Sequence, residues 1–307
     1  MSSARGAVAD DRVASNLQSL EEFVRTMWFD CPTPGPDFGS LYRGNGDFPL
    51  ALDAPFGVSG PMILDFGVLR ALLSDWSSIQ SVMSTGEPAR LVLDYTRVMT
   101  AGLLCHPAPR RIEMIGLGGG SIAKFCHRYL PDCEMTVVEI DPEVLALRKR
   151  FAIPDDDARL RVICADGFDF VESDPGRPDV LMVDGFDHRG RPGRLASRVF
   201  YDLCRERLGE SGILIVNICG GYFGSSRQIA KISASFDGQV LAVTDATRLN
   251  RIAFASCGPD FLSCAEMLCV PAGSNQYSPP RLSAAAGRIA AAARLLKARR
   301  LPNPAEV

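Results

Sequence analysis

The sequence predicts an α/β fold that is doubly wound around a mainly parallel sheet and preceded by a small β subdomain. Apolar strand patterns alternate with helical patterns between residues 111 and 219, which is typical of parallel sheets covered by helices on both faces. A glycine cluster directly follows the first of these strands, as in Rossmann-like nucleotide-binding units. Short β-rich runs separated by turn residues precede them, and this spacing favours a small antiparallel unit.

Changes in composition divide the chain into four predicted parts. A flexible leader, a β-rich subdomain with a linking helix, a Rossmann-like cofactor-binding catalytic domain and an Ala/Arg-rich helical tail occupy residues 1–20, 21–105, 106–275 and 276–307, respectively. Pro107 and Pro109 mark the second boundary, because proline ends the helix before it. The tail carries apolar residues on one helical face, which favours a docked helix or a contact with a partner over a membrane-surface helix.

The predicted elements follow the hydrophobic period along the chain. In the N-terminal part, strands are expected at residues 62–64, 68–73, 79–83 and 91–93, followed by a helix at 96–104. In the α/β part, strands are expected at 111–115, 135–140, 160–164, 180–183 and 213–219, with intervening helices at 122–129, 143–151, 168–172 and 196–208. A helix at 225–236 and strands at 240–245 and 251–256 follow, and the two strands are expected to form an antiparallel extension at a sheet edge.

Composition excludes several classes of protein. The 307 residues carry a formal net charge of -3 with a sequence pI near 5.7, which argues against a nucleic-acid partner. Neither a signal peptide nor an apolar run of about 20 residues is present. The 10 cysteines form no Cys-x-x-Cys pair, so neither a metal site nor a disulfide framework is expected. The chain is therefore predicted to be cytoplasmic, without metal or membrane association.

The glycine turn and the next strand predict a nucleotide site. Gly116, Gly118, Gly119 and Gly120 follow the strand at 111–115, and glycines allow a sharp turn and close approach of a ligand. The following strand ends at Glu139 and Ile140, and a carboxylate at that position can accept both hydroxyls of a ribose. A solvated acid at a strand end is the alternative.

The next strand end adds a candidate base-binding group. Asp166 and Gly167 follow the strand at 160–164, where a carboxylate can bind an adenine amino group, although an Asp-Gly turn is common on its own. Each of these features, taken alone, is compatible with either NAD or an S-adenosyl nucleotide. The turn lacks the spacing Gly-x-Gly-x-x-Gly of dinucleotide sites, which weighs against NAD.

Two carboxylates and an imidazole follow the strand at 180–183. Asp184, Asp187 and His188 lie there, at the strand end where open α/β sheets bind ligands. Because an ammonium group is not a nucleophile, alkyl transfer to nitrogen requires a proton acceptor. Asp184 is the candidate for that acceptor and Asp187 for amine binding, while His188 is expected at the rim. A strand-end aspartate that caps a turn is the alternative for Asp184.

Taken in order, these motifs resemble the spermidine synthase family of polyamine aminopropyltransferases, within the S-adenosylmethionine-dependent methyltransferase-like fold. The resemblance covers about residues 67 to 256 and is carried by the segments at 106–111, 116–120, 139–141, 166–170 and 184. It implies transfer of an aminopropyl group from decarboxylated S-adenosylmethionine to an amine such as putrescine, and a homodimer formed through the N-terminal region.

The resemblance also implies roles for single residues. Glu139 would bind ribose, Asp166 and Gly167 adenine, and Asp184 would accept the amine proton. Gln80 matches a glutamine that reaches the cofactor from the small β subdomain. The resemblance also places substrate binding on the helix after that subdomain, so that Asp94 and Tyr95, together with Asp187, are the candidate substrate-binding residues.

Three departures from the family pattern concern the substrate. A Tyr-His-Glu run of the family is replaced by Asp94, Tyr95 and Thr96, aligned without gaps, and an aspartate that holds the cofactor amine is replaced by Gly119. Ser-Ser-Asp-Pro after the catalytic aspartate is replaced by residues 185–188. Intact S-adenosylmethionine therefore stays an alternative co-substrate. A small-molecule methyltransferase and a non-catalytic nucleotide-binding relative stay alternative functions.

Overall fold

The structure is a computed structural model. It describes residues 51–52, 60–75, 78–106, 108–173, 176–187, 191–219, 222–256, 258, 261–268 and 282–300. The predicted leader at 1–20 and His188 lie outside the described residues.

A four-stranded antiparallel sheet forms the N-terminal part of the described chain. Its strands, in spatial order, are β1 (Ala51–Leu52), β2 (Met62–Phe66), β3 (Leu69–Asp75) and β4 (Ser78–Ser84). Ile63 of β2 and Leu72 of β3 lie opposite each other in the sheet, and both side chains join the core of the α/β part. The predicted small β unit is thus present, and it packs beside the larger sheet.

The predicted strand at residues 91–93 is wrong. Leu91, Val92 and Leu93 are buried but lie in irregular backbone. The Arg97 side chain donates hydrogen bonds to the carbonyl oxygens of Leu91 and Val92, at 3.0 and 2.8 Å. These carbonyl groups are therefore satisfied by a side chain instead of a neighbouring strand.

The α/β part is built on a seven-stranded sheet, and its fold class is the predicted one. The strands are β5 (Arg111–Ile115), β6 (Glu134–Glu139), β7 (Leu160–Cys164), β8 (Val180–Val183), β9 (Ile213–Cys219), β10 (Val240–Thr244) and β11 (Asn250–Ser256). Their spatial order is β10-β11-β9-β8-β5-β6-β7. Strands β5 to β9 are parallel, and β10 and β11 pair antiparallel at one edge as predicted.

Eight α-helices occur among the described residues. They are α1 (Asp94–Ala101), α2 (Ser121–Tyr129), α3 (Pro142–Ala146), α4 (Gly167–Glu172), α5 (Arg198–Leu208), α6 (Tyr222–Ser235), α7 (Phe261–Glu266) and α8 (Ser283–Arg300). Two 3-10 turns, Gly102–Cys105 and Gly193–Ala196, accompany them. Within this part of the chain, every helix is too short or too polar to cross a bilayer.

Helix α3 is shorter than the predicted helix at 143–151. Asp141 caps its start by accepting a hydrogen bond from the backbone N–H of Glu143. After Ala146, the N–H groups of Leu147 and Arg148 donate to carbonyl groups three residues earlier, at 3.0 and 3.2 Å. The chain therefore continues in tight turns rather than as α-helix.

Two apolar clusters cover the two faces of the large sheet. One includes the apolar side of α8, on which Ile289 and Ala293 are fully buried. The direction of strand order reverses between β5 and β8. The carboxyl ends of these two strands therefore form the crevice in which doubly wound sheets bind ligands.

Candidate active site

A cavity of about 1320 Å³ opens at the carboxyl ends of β5, β6, β8 and β9. The small N-terminal sheet supplies one wall, which includes Gln80 and Ser81. The loop after β8 and the turn between β10 and β11 supply the opposite walls. Because pockets for one small ligand usually measure about 300 to 1,000 Å³, this cavity has room for two reactants side by side.

The glycine turn brings the ends of β5 and β8 into contact. Gly116 has φ +93°, and a Cβ atom there would lie 2.2 Å from the carbonyl oxygen of Asp184. A larger residue at this position would therefore separate the turn from the strand that carries Asp184. Gly118 lines the cavity, and a Cβ atom built on it meets nothing closer than 3.9 Å. The turn thus presents open backbone to a ligand.

Glu139 is held by the backbone of the glycine turn. Its Oε2 accepts hydrogen bonds from the N–H groups of Leu117 and Gly118, at 2.9 and 3.4 Å, and its Oε1 accepts one from Asp141 at 3.0 Å. The side chain is nearly buried but still lines the cavity. A carboxylate fixed in this way keeps free lone pairs for two hydroxyl donors.

Three further predicted cofactor residues line the same cavity: Ile140, Asp166 and Gly167. Ile140 is 59% exposed, which leaves an apolar surface for a flat ring. Asp166 caps α4, because its Oδ1 accepts hydrogen bonds from the N–H groups of Phe168 and Asp169 at 2.7 and 3.3 Å. The second carboxylate oxygen has no part in this cap.

Asp184 lies at the end of β8 and is held by two side chains. Asn217 of β9 donates a hydrogen bond from Nδ2 to Asp184 Oδ1 at 2.8 Å, and the hydroxyl of Tyr95 forms a second hydrogen bond. Desolvation by the surrounding protein raises the pKa of Asp184, while the hydrogen bonds from Asn217 and Tyr95 lower it and the charge of Glu139 raises it. The pKa of Tyr95 is also raised, by desolvation and by the charge of Asp184. Tyr95 therefore stays protonated and donates its hydrogen to Asp184.

The predicted amine-binding acid, Asp187, lines the cavity but is already paired. Its carboxylate accepts hydrogen bonds from the backbone N–H of Arg191 at 2.9 Å and from Arg191 Nε at 3.1 Å. Arg191 Nη2 lies 3.0 Å from the same carboxylate. The Asp187 carboxylate therefore already carries a bound counter-charge from Arg191.

Three other predicted residues do not line the cavity. Asp94 is 5% exposed, and its carboxylate forms ion pairs inside the protein. A Cβ atom on Gly119 would lie 2.6 Å from Ser81 Oγ, so the space beside this glycine is already filled. Gly120 adopts φ +65° and precedes α2. These glycines shape the turn rather than the cavity surface.

Two buried polar residues near the site were missed by the sequence analysis. Asn217 is the single polar residue within the apolar strand β9, and that interruption was a usable signal. Lys124 of α2 is 4% exposed and donates from Nζ to the carbonyl oxygens of Gly119 and Phe151, at 2.9 and 2.7 Å. Burial lowers the pKa of Lys124 to about 7. Lys124 thus ties the glycine turn to the segment after α3.

The family model and the sequence relatives that match this chain belong to the same protein family. The model of the spermine/spermidine synthase domain matches residues 94–231. A polyamine aminopropyltransferase of Chromobacterium violaceum is 35% identical over 189 residues, which cover 61% of this chain and 72% of the relative. A polyamine aminopropyltransferase of Neisseria meningitidis is 36% identical over 181 residues, which cover 58% of this chain and 69% of the relative.

Solved structures share the fold. A spermidine synthase in complex with the transition-state analogue AdoDATO has a TM-score of 0.54 at 20% identity, over 66% of this chain and 72% of that one. A spermidine synthase from Thermotoga maritima has a TM-score of 0.54 at 17% identity, over 77% and 87%. Human methyltransferase-like protein 13 in complex with SAH has a TM-score of 0.51 at 22% identity, over 66% and 93%. The sequence relatives and the shared fold place this chain in the spermine/spermidine synthase family of polyamine aminopropyltransferases.

Proposed function

We propose that this protein transfers an aminopropyl group from decarboxylated S-adenosylmethionine to an amine acceptor such as putrescine. The observation that carries the proposal is the position of Asp184 on the wall of a two-reactant cavity, directly beside the glycine turn and lining the same cavity as Glu139. The names of the relatives support the same chemistry, because they are polyamine aminopropyltransferases.

The cofactor half of the cavity fits an adenosyl group. We assign the ribose hydroxyls to Glu139, whose carboxylate is oriented by backbone N–H groups. The adenine would lie against exposed Ile140, with its amino group near Asp166 and Gly167. Gly116 and Gly118 leave the backbone accessible, and Gln80 approaches from the small sheet. All these groups are neutral or acidic, which suits a cationic sulfonium ligand.

The amine half supplies a proton acceptor. An amine attacks only in its neutral form, so its proton must leave before or during attack. A raised pKa makes the Asp184 carboxylate a stronger acceptor than an exposed aspartate, and Tyr95 and Asn217 fix its orientation. When bound, the co-substrate supplies a carbon activated by its positively charged sulfur.

The transfer conserves atoms and electrons with Asp184 as the proton acceptor. A bond forms between the amine nitrogen and the aminopropyl carbon, and the carbon–sulfur bond breaks with its electron pair going to sulfur. The nitrogen proton passes to Asp184. Positioning accounts for most of the rate, because a displacement at a sulfonium carbon needs aligned reactants rather than covalent catalysis.

Methyl transfer from intact S-adenosylmethionine is the second candidate, and one observation favours it. The position where the family pattern has an aspartate is Gly119, and Ser81 Oγ would lie 2.6 Å from its Cβ. Because glycine has no side chain, this turn offers no carboxylate to the amine of a decarboxylated cofactor.

Product analysis separates the candidates. The purified protein is incubated with decarboxylated S-adenosylmethionine and putrescine, and in parallel with S-adenosylmethionine and the same amine. Aminopropyl transfer gives methylthioadenosine and an extended polyamine. Methyl transfer gives S-adenosylhomocysteine, and that product alone would refute the proposal. A protein that binds methylthioadenosine in calorimetry but forms neither product would be a non-catalytic relative.

A further inference from the structure

An ion pair connects helix α8 to the residue that precedes Tyr95 of the active site. Arg288 Nη2 donates to both carboxylate oxygens of Asp94, at 2.9 and 2.7 Å. Asp94 is the first residue of α1, and its side chain is only 7% exposed. The next residue is Tyr95, which lines the cavity together with Asp184 and whose hydroxyl interacts with the Asp184 carboxylate as a hydrogen-bond donor. A single residue therefore separates this ion pair from the proton acceptor.

Asp94 also holds a second wall of the cavity. Its Oδ2 accepts a hydrogen bond from the backbone N–H of Ala246 at 2.8 Å. Ala246 belongs to the turn between β10 and β11, and residues 248–250 of this turn line the cavity. Arg97 approaches the same carboxylate at 3.7 Å, a longer and weaker contact. The Asp94 carboxylate thus joins α8, α1 and the β10–β11 turn.

We propose that Arg288 and Asp94 are positioning residues that hold the Tyr95 hydroxyl against Asp184, so that helix α8 braces the amine half of the active site. The inference rests on the proposed function for its kinetic consequences. A buried carboxylate that loses its main counter-charge must move, bind a proton or admit water. Because Asp94 is the first residue of α1, a movement of its side chain would displace the first turn of α1, which carries Tyr95.

The pH dependence of kcat tests this proposal. We call the ion pair between Arg288 and Asp94 the brace. The groups that face Asp184 are Tyr95 from α1, Asn217 from β9 and Glu139 from β6. Of these, only Tyr95 is connected to Asp94 by a direct backbone link. Loss of the Tyr95 hydrogen bond removes an interaction that lowers the pKa of Asp184. The acid limb of the rate profile then moves to higher pH, which a general loss of stability would not cause.

The test compares two ion pairs of the same helix. Arg288→Met removes the brace, whereas Lys297→Met removes the pair between Lys297 Nζ and Glu266 Oε2 at 2.6 Å, away from the cavity. We expect Arg288→Met to lower kcat by about tenfold, since a displacement of ~1 Å can cost up to ~100-fold, and to shift the acid limb upwards. Lys297→Met should leave both unchanged, and Arg288→Lys should restore part of the loss. Wild-type kcat and an unshifted acid limb in folded Arg288→Met would overturn the inference.

A second measurement is independent of turnover. In protein labelled with 13C at tyrosine Cζ, the Tyr95 signal is assigned by Tyr95→Phe. We expect Arg288→Met to shift this signal and Lys297→Met to leave it in place. If the wild-type protein forms no aminopropyl product but the signal shifts, the proposed function fails and the brace stands. If the protein is active and the signal stays in place, only the brace fails. Should Arg288→Met not fold, Arg288→Gln, which also removes the charge, takes its place in both measurements.

Discussion

The cofactor half and the amine half of the cavity are held together in different ways. In the cofactor half, the Glu139 carboxylate is fixed by three backbone N–H groups within 22 residues along the chain. In the amine half, the Asp184 carboxylate is held, among the described residues, by the side chains of Tyr95 and Asn217. One half therefore depends on backbone turns, and the other on elements far apart in the chain.

This difference predicts how each half of the cavity should respond to amino-acid substitutions. Backbone donors remain in place when a neighbouring side chain is replaced, so the cofactor half should lose only the contacts of the replaced group. Side-chain donors tune the basicity of Asp184 as well as its position. We therefore expect substitutions in the cofactor half to change binding and those in the amine half to change rate and pH dependence.

The largest effect is expected for Asp184→Asn. Loss of a general base typically costs about 10²- to 10⁴-fold, so kcat should fall by that order. The affinity for methylthioadenosine should change little, because the ribose group binds in the other half. Steady-state kinetics and calorimetry check the two expectations. Asp202→Asn is the control, since Asp202 forms an exposed ion pair with Arg198. Turnover within threefold of wild type would remove Asp184 from the mechanism.

Glu139→Gln should weaken the binding of methylthioadenosine and leave kcat nearly unchanged, which is the reverse of the result expected for Asp184→Asn. Hydrogen bonds to a charged group contribute about 1.5–3 kcal/mol, so the Kd for methylthioadenosine should rise by roughly 10- to 100-fold. At saturating co-substrate, kcat should stay within a few-fold of wild type. Glu143→Gln serves as the control, because Glu143 is exposed and does not line the cavity. An unchanged Kd would place the ribose elsewhere and end the distinction between the halves.

The two halves also differ in how far the sequence could predict them. Strands β5, β7, β8 and β9 have the predicted bounds. The buried strands β8 and β9 are nearly continuous apolar runs, which sequence patterns show most clearly. The glycine turn, Glu139 and Asp166 follow such strands directly, so their common location follows from the topology.

The amine half could not be predicted in the same way. Asp94 was expected to bind substrate but is turned into the protein by Arg288, which lies 194 residues further along the chain. Sequence patterns do not encode a contact of that separation. Gly119 and Gly120 were also expected at the ligand, but packing against Ser81 and Ile153 occupies the space beside them. The assigned roles of the cavity residues, the homodimer and the cytoplasmic location stay predictions.

Tyr95→Phe tests the side-chain control of Asp184 directly. The Tyr95 hydrogen bond lowers the pKa of Asp184, so its loss should raise that pKa. Since the proton acceptor must be ionised, the acid limb of the kcat profile should move to higher pH, and activity should fall most on the acid side. A hydrogen bond to a charged group contributes about 1.5–3 kcal/mol, so the acid limb should move by roughly one to two pH units. Tyr129→Phe is the control outside the cavity. An unshifted limb would show that Tyr95 does not tune Asp184.

The smallest effect is expected at the loop after β8, where Asp187 and Arg191 form an exposed pair. If Asp187 binds the acceptor amine, Arg191 competes with that amine for the same carboxylate. Asp187→Asn should then raise the KM for putrescine and Arg191→Met should lower it, with kcat unchanged in both. Exposed pairs contribute about 0.2–1 kcal/mol, so each change should be roughly 1.5- to 5-fold. Parallel increases of KM would instead show that the pair acts only by shaping the loop, and the amine half would then contain Asp184 as its one working acid.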